Sequence, residues 1–508
     1  MEQKRLLLAI VLSLVIFLAW QFIFAPEEAQ RRQAKKVEAP AVEEKQTPKD
    51  TAKPYKESIE KPAPAEESAV EKTAPQIAAS ITVDTPLYQA KISENGAVFY
   101  SLLLKNYREK VQKDAPLKQI LTGDETSGVG RLGFAGKSIA GLDKAVFSVN
   151  LPSKQLEVIE SPQHLTFSWR SPDGIVIEKT YKFAPDTYAI GMEVIVKNGS
   201  GRGIQDRLFV SLNGKVPGDK RLYSFEGPSA LINEELKEIK TKKIKEQNIF
   251  DGKISWVALQ SRYFMSGLIP DQIEEASLHL ALPSDKFVAA QYLQPEKAIQ
   301  PGTHYTYKYQ LFMGPKRIEE LRNVGNDLHK VVDFGWFDFI AKPCLWLMNL
   351  FYSVIPNYGV AIIILTLLVK ILLWPLGQKS YKSMSEMKKI QPLMKEIREK
   401  YKDDKQRMNQ EVMGLYRTYK INPLGGCLPM VVQLPVFFAL YRMLYEAIEL
   451  RHAPFFLWID DLAAPDRLFR FNFSVPFMEP PYGIPVLTIV MGASMLLQQK
   501  MSPPMGDA

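Results

Sequence analysis

The stretch VAIIILTLLVKILLWPL, residues 360–376, decides the fold class of this chain. It is almost wholly apolar, and its polar side chains are Thr366 and a single charge, Lys370. An α-helix rises about 1.5 Å per residue, so a helix over 358–376 crosses nearly all of a hydrocarbon layer about 30 Å thick. The stretch therefore predicts a transmembrane span at residues 358–376.

Three further stretches have the composition of transmembrane spans. The first, within residues 1–25, follows Lys4 and Arg5 and ends in bulky aromatic residues, which favours an uncleaved anchor over a cleaved signal peptide. The other two lie at 424–446 and 483–499, and the second of these is short. Buried core helices remain an alternative for both, although their alternation with a basic loop favours spans.

Basic residues set the predicted orientation, because loops on the cytoplasmic side of a membrane carry an excess of Lys and Arg. Residues 377–423 hold twelve Lys and Arg against six Asp and Glu, whereas the loop 447–482 holds three Arg. We therefore place 377–423 in the cytoplasm and 447–482 in the periplasm. The N-terminus and the tail 500–508 are then cytoplasmic, and the chain is predicted to be a multi-pass protein of a bacterial inner membrane.

A long external region precedes the second span, and its pattern is typical of β-strands. Apolar and polar residues alternate over 165–169, 175–183 and 188–196, with turn residues between these runs. Such alternation predicts half-buried antiparallel strands. The fold class is therefore an α-helical polytopic membrane protein with a large periplasmic all-β sandwich domain at 81–330. A scaffold is favoured over a ligand-binding domain, because no residue pattern marks a pocket.

Two segments flank the predicted β-domain. Residues 26–80 are rich in Ala, Glu, Lys and Pro, a composition that cannot bury a core, and they predict a disordered periplasmic tether. Residues 331–357 are rich in aromatics, and we predict an amphipathic helix in the outer membrane interface, broken at Pro343. A simple lead-in to the second span is the alternative for this segment.

The composition excludes several classes of function. The two cysteines, Cys344 and Cys427, lie outside the external region, so no disulfide framework is expected there. The five histidines are scattered without metal-ligand spacing, and we expect no metal site, no cofactor and no enzymatic chemistry. The net charge of +8 lies beside the apolar stretches, which argues against nucleic acid read by direct sequence contacts.

The basic segment 377–423 predicts a helical hairpin. Apolar residues recur at spacings of three and four on both sides of a turn at 402–404, and Asp404 is a natural N-cap for the second helix. The outer faces are basic, and a dock for ribosomes, signal-recognition targeting components or anionic lipid headgroups is one interpretation. A solvated face that obeys the charge rule is the other. The candidate docking residues are Lys388, Lys389, Lys395, Arg398, Lys400, Lys405 and Arg407.

Polar residues at membrane depth predict a hydrated groove. Lys370 lies roughly 9 Å from the cytoplasmic end of its span, Thr366 lies one turn away, and Gln433 lies at a depth similar to that of Thr366. Ser494 and Gln498 add a weaker polar mark to the last span. Ionisable residues inside a membrane usually line a wet cavity. Two alternatives remain: Lys370 reaches the inner interface, or it is the counter-charge of a secondary transporter.

The stretch INPLGGCLPMVVQLPVFFALYRMLYEAIELRHAPFFLWIDDL, residues 421–462, and QKMSPP, residues 499–504, closely resemble the YidC/Oxa/Alb family of membrane protein insertases. The resemblance, which extends to the overall plan of the Gram-negative form, implies a non-enzymatic insertase or chaperone. Its expected partners are nascent membrane proteins, the Sec translocon, ribosome or targeting components and lipids. The resemblance also implies that Lys370 occupies the place of the groove's usual Arg, with Thr366 and Gln433 at groove positions.

Two departures from the family accompany this resemblance. Gram-negative members have two more spans after the QKMSPP stretch, whereas this sequence stops at Ala508. We therefore expect one wall of the groove to be missing from the chain as given. The periplasmic loop also carries an extra segment near residues 468–481, for which the family suggests no role.

Overall fold

A computed structural model describes residues 79–501 except 113, 123–127, 152, 217–223, 420, 422–427, 472, 476–477 and 479–480. In helix 428–446, side chains are described from residue 431 onward. The predicted anchor 1–25 and nearly all of the predicted tether 26–80 lie outside the described residues, as do Cys427 and residues 502–508 of the tail. The described residues all belong to one compact unit, Pro75–Ala508.

The described residues form twenty β-strands before residue 316. They are β1 (Ser80–Asp84), β2 (Tyr88–Ser93), β3 (Val98–Arg108), β4 (Leu117–Thr122), β5 (Arg131–Phe134), β6 (Ser148–Val149), β7 (Gln155–Glu157), β8 (Gln163–Arg170), β9 (Ile175–Phe183), β10 (Ala189–Asn198), β11 (Ile204–Asp206), β12 (Leu208–Lys215), β13 (Gly227–Ile232), β14 (Glu235–Glu238), β15 (Ile249–Gln260), β16 (Phe264–Pro270), β17 (Glu275–Ser284), β18 (Phe287–Leu293), β19 (Lys297–Ile299) and β20 (His304–Pro315). The prediction of a large β-rich domain is confirmed.

These strands form a large sheet and two smaller ones. The large sheet has thirteen strands, with β5-β12-β18-β17-β15-β16-β20-β10-β9-β8-β6 as its main path and β13 and β14 attached beside β15. A five-stranded sheet has the order β4-β3-β2-β1-β7, and β11 pairs with β19. The pair β1–β7 is parallel, and every other strand pair in the described part of the chain is antiparallel.

The three runs of alternating residues became consecutive strands because their apolar faces share one core. Every odd-numbered residue of β9, from Ile175 to Phe183, is buried. The ring of Tyr181 on this face lies edge-on, 4.7 Å from the ring of Phe99 in the five-stranded sheet. The burial of one residue in two predicted here therefore attaches the small sheet to the large one.

Six α-helices follow the β-domain in the described residues. They are α1 (Ile318–Val324), α2 (Asp338–Val354), α3 (Tyr358–Lys400), α4 (Lys405–Thr418), α5 (Leu428–Glu446) and α6 (Val486–Met501). Helix α2 packs against both α3 and α5, and it buries Ala341, Cys344, Leu345 and Met348.

The prediction that Pro343 breaks the segment 331–357 is wrong. Pro343 lies inside α2, which continues to Val354. A proline near the start of a helix removes few intrahelical hydrogen bonds, and here the carbonyl that loses its N–H partner is that of Phe339. The helix is nevertheless two-faced, because Trp346, Leu350 and Val354 are exposed opposite its buried side chains.

The predicted spans differ in how far the structure describes them. Among the described residues, one helix, α3, is long and apolar enough to cross a membrane. It continues past the predicted end of the span at 376 and through Pro375 and Pro392 as far as Lys400. Helices α5 and α6, at the predicted spans 424–446 and 483–499, have 19 and 16 residues. The topology of four spans stays a prediction.

Candidate functional site

The first two turns of α3 are fixed to the rest of the protein. The side chain of Asn357 caps the helix by accepting a hydrogen bond from the backbone N of Val360, at 3.2 Å. Tyr358, Ala361 and Leu365 are buried at helical spacing. This part of α3 therefore has a covered face, as a packed helix of a globular protein does.

Beyond Leu365 the same helix is uncovered. No residue between Leu365 and Ser380 is buried, although most of this stretch is apolar. Both predicted groove residues of α3 lie here and are exposed: Lys370, and Thr366 one turn before it. The hydroxyl of Thr366 donates a hydrogen bond to the carbonyl of Ile362, at 2.8 Å. The stretch thus combines a large apolar surface with Lys370, which is the one charge inside the apolar run, and it ends with a second lysine, Lys379.

The other predicted groove residues lie on α5 and α6. Gln433 is half-buried on α5, a helix that contacts α3. Ser494 and Gln498 are exposed on α6, which buries none of its side chains, and the Ser494 hydroxyl donates to the carbonyl of Met491 at 2.8 Å. Within the described part of the chain, no hydrogen bond joins any two of the five predicted groove residues. Their assembly into one groove therefore stays a prediction.

The predicted hairpin is formed by the last part of α3 and by α4. The side chain of Asp404 accepts a hydrogen bond from the backbone N of Arg407 at 3.0 Å, so the predicted N-cap is confirmed. The two helices contact each other where the Tyr416 hydroxyl lies 3.6 Å from Sδ of Met394. All seven predicted docking residues are exposed: Lys388, Lys389, Lys395, Arg398, Lys400, Lys405 and Arg407.

A polar junction that the sequence did not suggest joins the β-domain to the helices. Arg262, in the turn between β15 and β16, donates through Nε to the carbonyl of Tyr445 at 2.8 Å. Its guanidinium also lies 3.8 Å from the centre of the Tyr445 ring. On the helical side, Arg442 forms an ion pair with Glu446 at 2.9 Å. Because Arg262 and Tyr445 are far apart in the chain, no local sequence pattern could have revealed the contact.

A buried lysine lies at the end of the β-domain, just before α1. Burial lowers the pKa of Lys316, and nearby carboxylates oppose that shift. Its ammonium group donates to Oε1 of Gln260 at 3.1 Å. The surrounding groups do not suggest a metal centre, since no cluster of three or more His, Cys, Asp or Glu in the described residues is placed to bind one.

Two family models match consecutive parts of the chain. The model described as the YidC periplasmic domain matches residues 80–347, and the model described as the 60Kd inner membrane protein matches residues 350–508. The first match covers the β-domain, α1 and the start of α2, and the second covers the end of α2 and the helices that follow.

Curated relatives match over nearly the full chain. The membrane protein insertase YidC of Syntrophus aciditrophicus is 39% identical over 515 residues, which cover 99% of this chain and 91% of that protein. The protein of the same name from Syntrophobacter fumaroxidans is 40% identical, covering 84% of this chain and 77% of the relative. That from Geobacter sulfurreducens is 37% identical, covering 99% and 90%. None of these names supports the transporter alternative.

Solved structures give a much weaker likeness, covering somewhat less than half of the chain. A galactose mutarotase related enzyme from Lactobacillus acidophilus is 10% identical with a TM-score of 0.32, covering 46% of this chain and 97% of the enzyme. A galactose mutarotase-like protein from Lactobacillus casei is 14% identical with a TM-score of 0.34, covering 46% and 100%. These values are too low to carry an argument about function.

Proposed function

The chain belongs to the YidC family of membrane protein insertases, and from this we propose how its own residues act. It takes hydrophobic segments of nascent proteins into a hydrated groove open to the cytoplasm and releases them sideways into the lipid of the inner membrane. The observation that carries the proposal is the uncovered stretch of α3 between Leu365 and Ser380, an apolar surface that presents Lys370.

The physical problem for an insertase is the polar flank of its substrate. Each unpaired polar group that enters hydrocarbon costs several kcal/mol, and the hydrocarbon layer is about 30 Å thick. A groove that admits water through the inner half of the membrane shortens the path over which this cost applies. The apolar surface beside the groove then lets the hydrophobic segment pass into lipid without an external energy source.

Lys370 attracts acidic residues in the substrate flank. A lysine ammonium is a compact point charge, whereas the arginine typical of the family can bind a carboxylate with two parallel hydrogen bonds. Lys370 therefore supplies attraction without bidentate geometry. Thr366, Gln433, Ser494 and Gln498 add neutral polar groups, which keep water and the substrate backbone paired within the groove.

The membrane arrangement in this proposal has four spans: 1–25, 358–376, 424–446 and 483–499. The N-terminus is cytoplasmic, and the β-domain lies in the periplasm at the end of the tether 26–80. Helix α2 lies in the outer interface, where its exposed Trp346, Leu350 and Val354 face the acyl chains. These residues are oriented opposite a packed face, as an interfacial helix requires.

The basic hairpin supplies the docking surface. Its exposed lysines and arginines attract the ribosome, targeting components or anionic headgroups, and the same chain works either alone or beside the Sec translocon. The contact between the Tyr416 hydroxyl and Sδ of Met394 keeps the two helices paired while their basic side chains stay exposed.

A reconstituted insertion assay tests both parts of the proposal. Proteoliposomes with the full chain receive ribosomes that translate a substrate with an acidic translocated flank. Lys370→Arg should insert this substrate normally, whereas Lys370→Glu and Lys370→Leu should lose most insertion because the attraction is reversed or removed. The combined variant Lys388→Glu, Lys389→Glu and Lys395→Glu should reduce the ribosomes that float with the liposomes.

A substrate with a neutral flank is the internal control. Lys370→Leu should insert it nearly as well as the wild-type protein does, because there is no acidic group to attract. Normal insertion of the acidic-flank substrate by Lys370→Leu would refute the groove charge and leave Lys370 as an interface anchor. Unchanged ribosome flotation with the triple variant would refute the hairpin as a dock for the ribosome.

A further inference from the structure

The loop before α6 contains a short β-hairpin that the function proposed above does not use. We call residues 467–484 the outer hairpin. Leu468 and Ile484 exchange both backbone hydrogen bonds, at 2.9 and 2.7 Å, and the backbone N of Phe471 donates to the carbonyl of Tyr482 at 3.1 Å. The extra segment near 468–481, which the sequence could not explain, therefore begins and ends in paired backbone.

The outer hairpin is fixed to the first turn of α6. Asp466, the residue before it, accepts a hydrogen bond from the backbone N of Leu487 through Oδ2 and another from Nε1 of Trp458 through Oδ1, both at 2.5 Å. Arg470 reaches both carboxylate oxygens of Asp460 at 3.0 Å. These contacts hold the hairpin at the end of α6 where the helix begins.

Large aromatic side chains of the outer hairpin are exposed. Phe469 is 74% exposed and Phe473 is 65% exposed, while Phe471 stacks on Phe473 with ring centres 4.4 Å apart. Phe469 also has a φ of 50°, a backbone conformation that a bulky residue rarely adopts. Single exposed apolar residues are ordinary on protein surfaces, whereas neighbouring exposed phenylalanines in one short hairpin indicate a contact surface.

The exposed apolar surface does not end at the hairpin. It continues through Ile484 and Leu487 into α6, whose Ile489, Val490 and Met491 are also exposed. The charged groups described in the hairpin are already used: Arg467 donates to the carbonyls of Pro481 and Asp466, and Arg470 pairs with Asp460. Among the described residues of the hairpin, the exposed surface that is left is therefore mainly apolar.

We propose that the outer hairpin is a membrane-interface element, seated at the boundary between headgroups and acyl chains of the outer leaflet. Its occupant is the lipid bilayer, because the hairpin's apolar surface is continuous with that of α6. The side chains of Phe469 and Phe473 enter the boundary of the acyl chains, while the paired backbone of the hairpin stays at the level of the headgroups. Because Asp466 bonds to the first turn of α6, the position of the hairpin also fixes how deep α6 begins in the membrane. The proposal rests on the membrane span assigned to α6 under the proposed function.

Depth-dependent fluorescence quenching tests this placement. Single cysteines replace Phe469, Phe473, the exposed Met491 at the middle of the span 483–499 or the exposed Asp285 of the β-domain, in full-length chains in which Cys344 and Cys427 are alanine. Each carries an environment-sensitive fluorophore in proteoliposomes whose lipids are brominated either near the headgroup or in mid-chain. An interfacial element lies about 5–10 Å into the bilayer, so probes at 469 and 473 should be quenched at least about twofold more by shallow than by deep bromines.

The other two positions separate this inference from the proposed function. The probe at 491, eight residues from either end of the assigned span, should respond more to deep bromines, and the probe at 285 should respond to neither. An unquenched probe at 491 would refute the span assigned to α6 and with it the basis of the inference. A quenched probe at 491 with unquenched probes at 469 and 473 would overturn the outer hairpin alone, as would hairpin probes that share the deep profile of 491.

Discussion

The β-domain and the uncovered part of α3 are both rich in apolar side chains, but these are buried in the β-domain and exposed in α3. In β9 every second residue is buried, and the apolar face is covered by other strands. Between Leu365 and Ser380 of α3 the isoleucines and leucines are at least as numerous, yet none is buried. Apolar residues mark where water is excluded, and whether protein or lipid excludes it depends on what the chain places next to them.

Helix α3 contains both conditions in one element. Its start is packed like the helix of a globular protein, and no residue between Leu365 and Ser380 is buried. This arrangement suits an insertase. The packed start of α3 fixes the position of the helix, and the uncovered stretch that follows leaves its apolar surface available to a substrate or to lipid. The comparison therefore predicts that equal substitutions have unequal effects in the two regions.

The largest effect is expected at Lys179 inside the β-domain. Its ammonium group is fully buried and donates to the carbonyls of Gly130, Ala97 and Gly96 at 2.5, 2.7 and 3.3 Å. Lys179→Ala leaves a cavity and buried carbonyls without a donor, so the free energy of unfolding should fall by about 3–5 kcal/mol. Urea unfolding of the detergent-solubilised chain, followed by tryptophan fluorescence, measures this loss.

Lys182 is the matched control, because it lies on the same strand with its side chain on the exposed face. It pairs with Glu193 at 2.8 Å near the surface. Exposed ion pairs contribute about 0–1 kcal/mol, so Lys182→Ala should change stability by less than about 1 kcal/mol. Equal losses of unfolding free energy for the two variants would contradict the view that the buried hydrogen bonds of Lys179 stabilise the β-domain.

The sequence predicted the strands better than their partners. The alternating pattern of 175–183 placed Lys179 on the buried face, as the structure has it. The carbonyls that accept its hydrogen bonds belong to residues about 50 to 80 positions earlier, and periodicity contains no information about such contacts. The N-cap at Asp404 was predictable for the opposite reason, since its partner Arg407 is three residues away.

The sequence predicted individual residues of the candidate site, but it did not predict how they are arranged in space. Lys370 stands out because a charge inside an apolar run is rare, and Thr366 follows from helical spacing. The sequence did not reveal that α3 is uncovered between Leu365 and Ser380, because covered and uncovered apolar residues look alike in a sequence. The break expected at Pro343 failed for a related reason, since packing of α2 against α3 and α5 outweighs one lost hydrogen bond.

Two leucines of α3 sharpen the comparison within a single helix. Leu365 is fully buried against the protein, whereas Leu372 is largely exposed. Leu365→Ala should lower the free energy of unfolding in detergent by about 2–4 kcal/mol, because it leaves a cavity. Leu372→Ala should cost less than about 1 kcal/mol, because detergent fills the space and alanine favours a helix.

Unfolding by a denaturing detergent, followed by far-ultraviolet circular dichroism, compares the two leucine variants under one condition. A loss for Leu372→Ala as large as that for Leu365→Ala would mean that the stretch after Leu365 is covered in solution. The surface offered to a substrate would then have to lie elsewhere.

The smallest expected effects are those of alanine substitutions at two glycines of α3, which should change the stability in opposite directions. A Cβ at Gly359 would lie 2.0 Å from Cδ2 of Phe455, so Gly359→Ala must displace the aromatic ring and should cost about 1–3 kcal/mol. A Cβ at Gly377 would meet nothing within 4 Å. Gly377→Ala should therefore stabilise the helix by about 0.5–1 kcal/mol, since alanine loses less backbone entropy than glycine. Melting temperatures in one detergent give the sign of both effects, and a stabilising Gly359→Ala would show that the start of α3 does not contact the loop that holds Phe455.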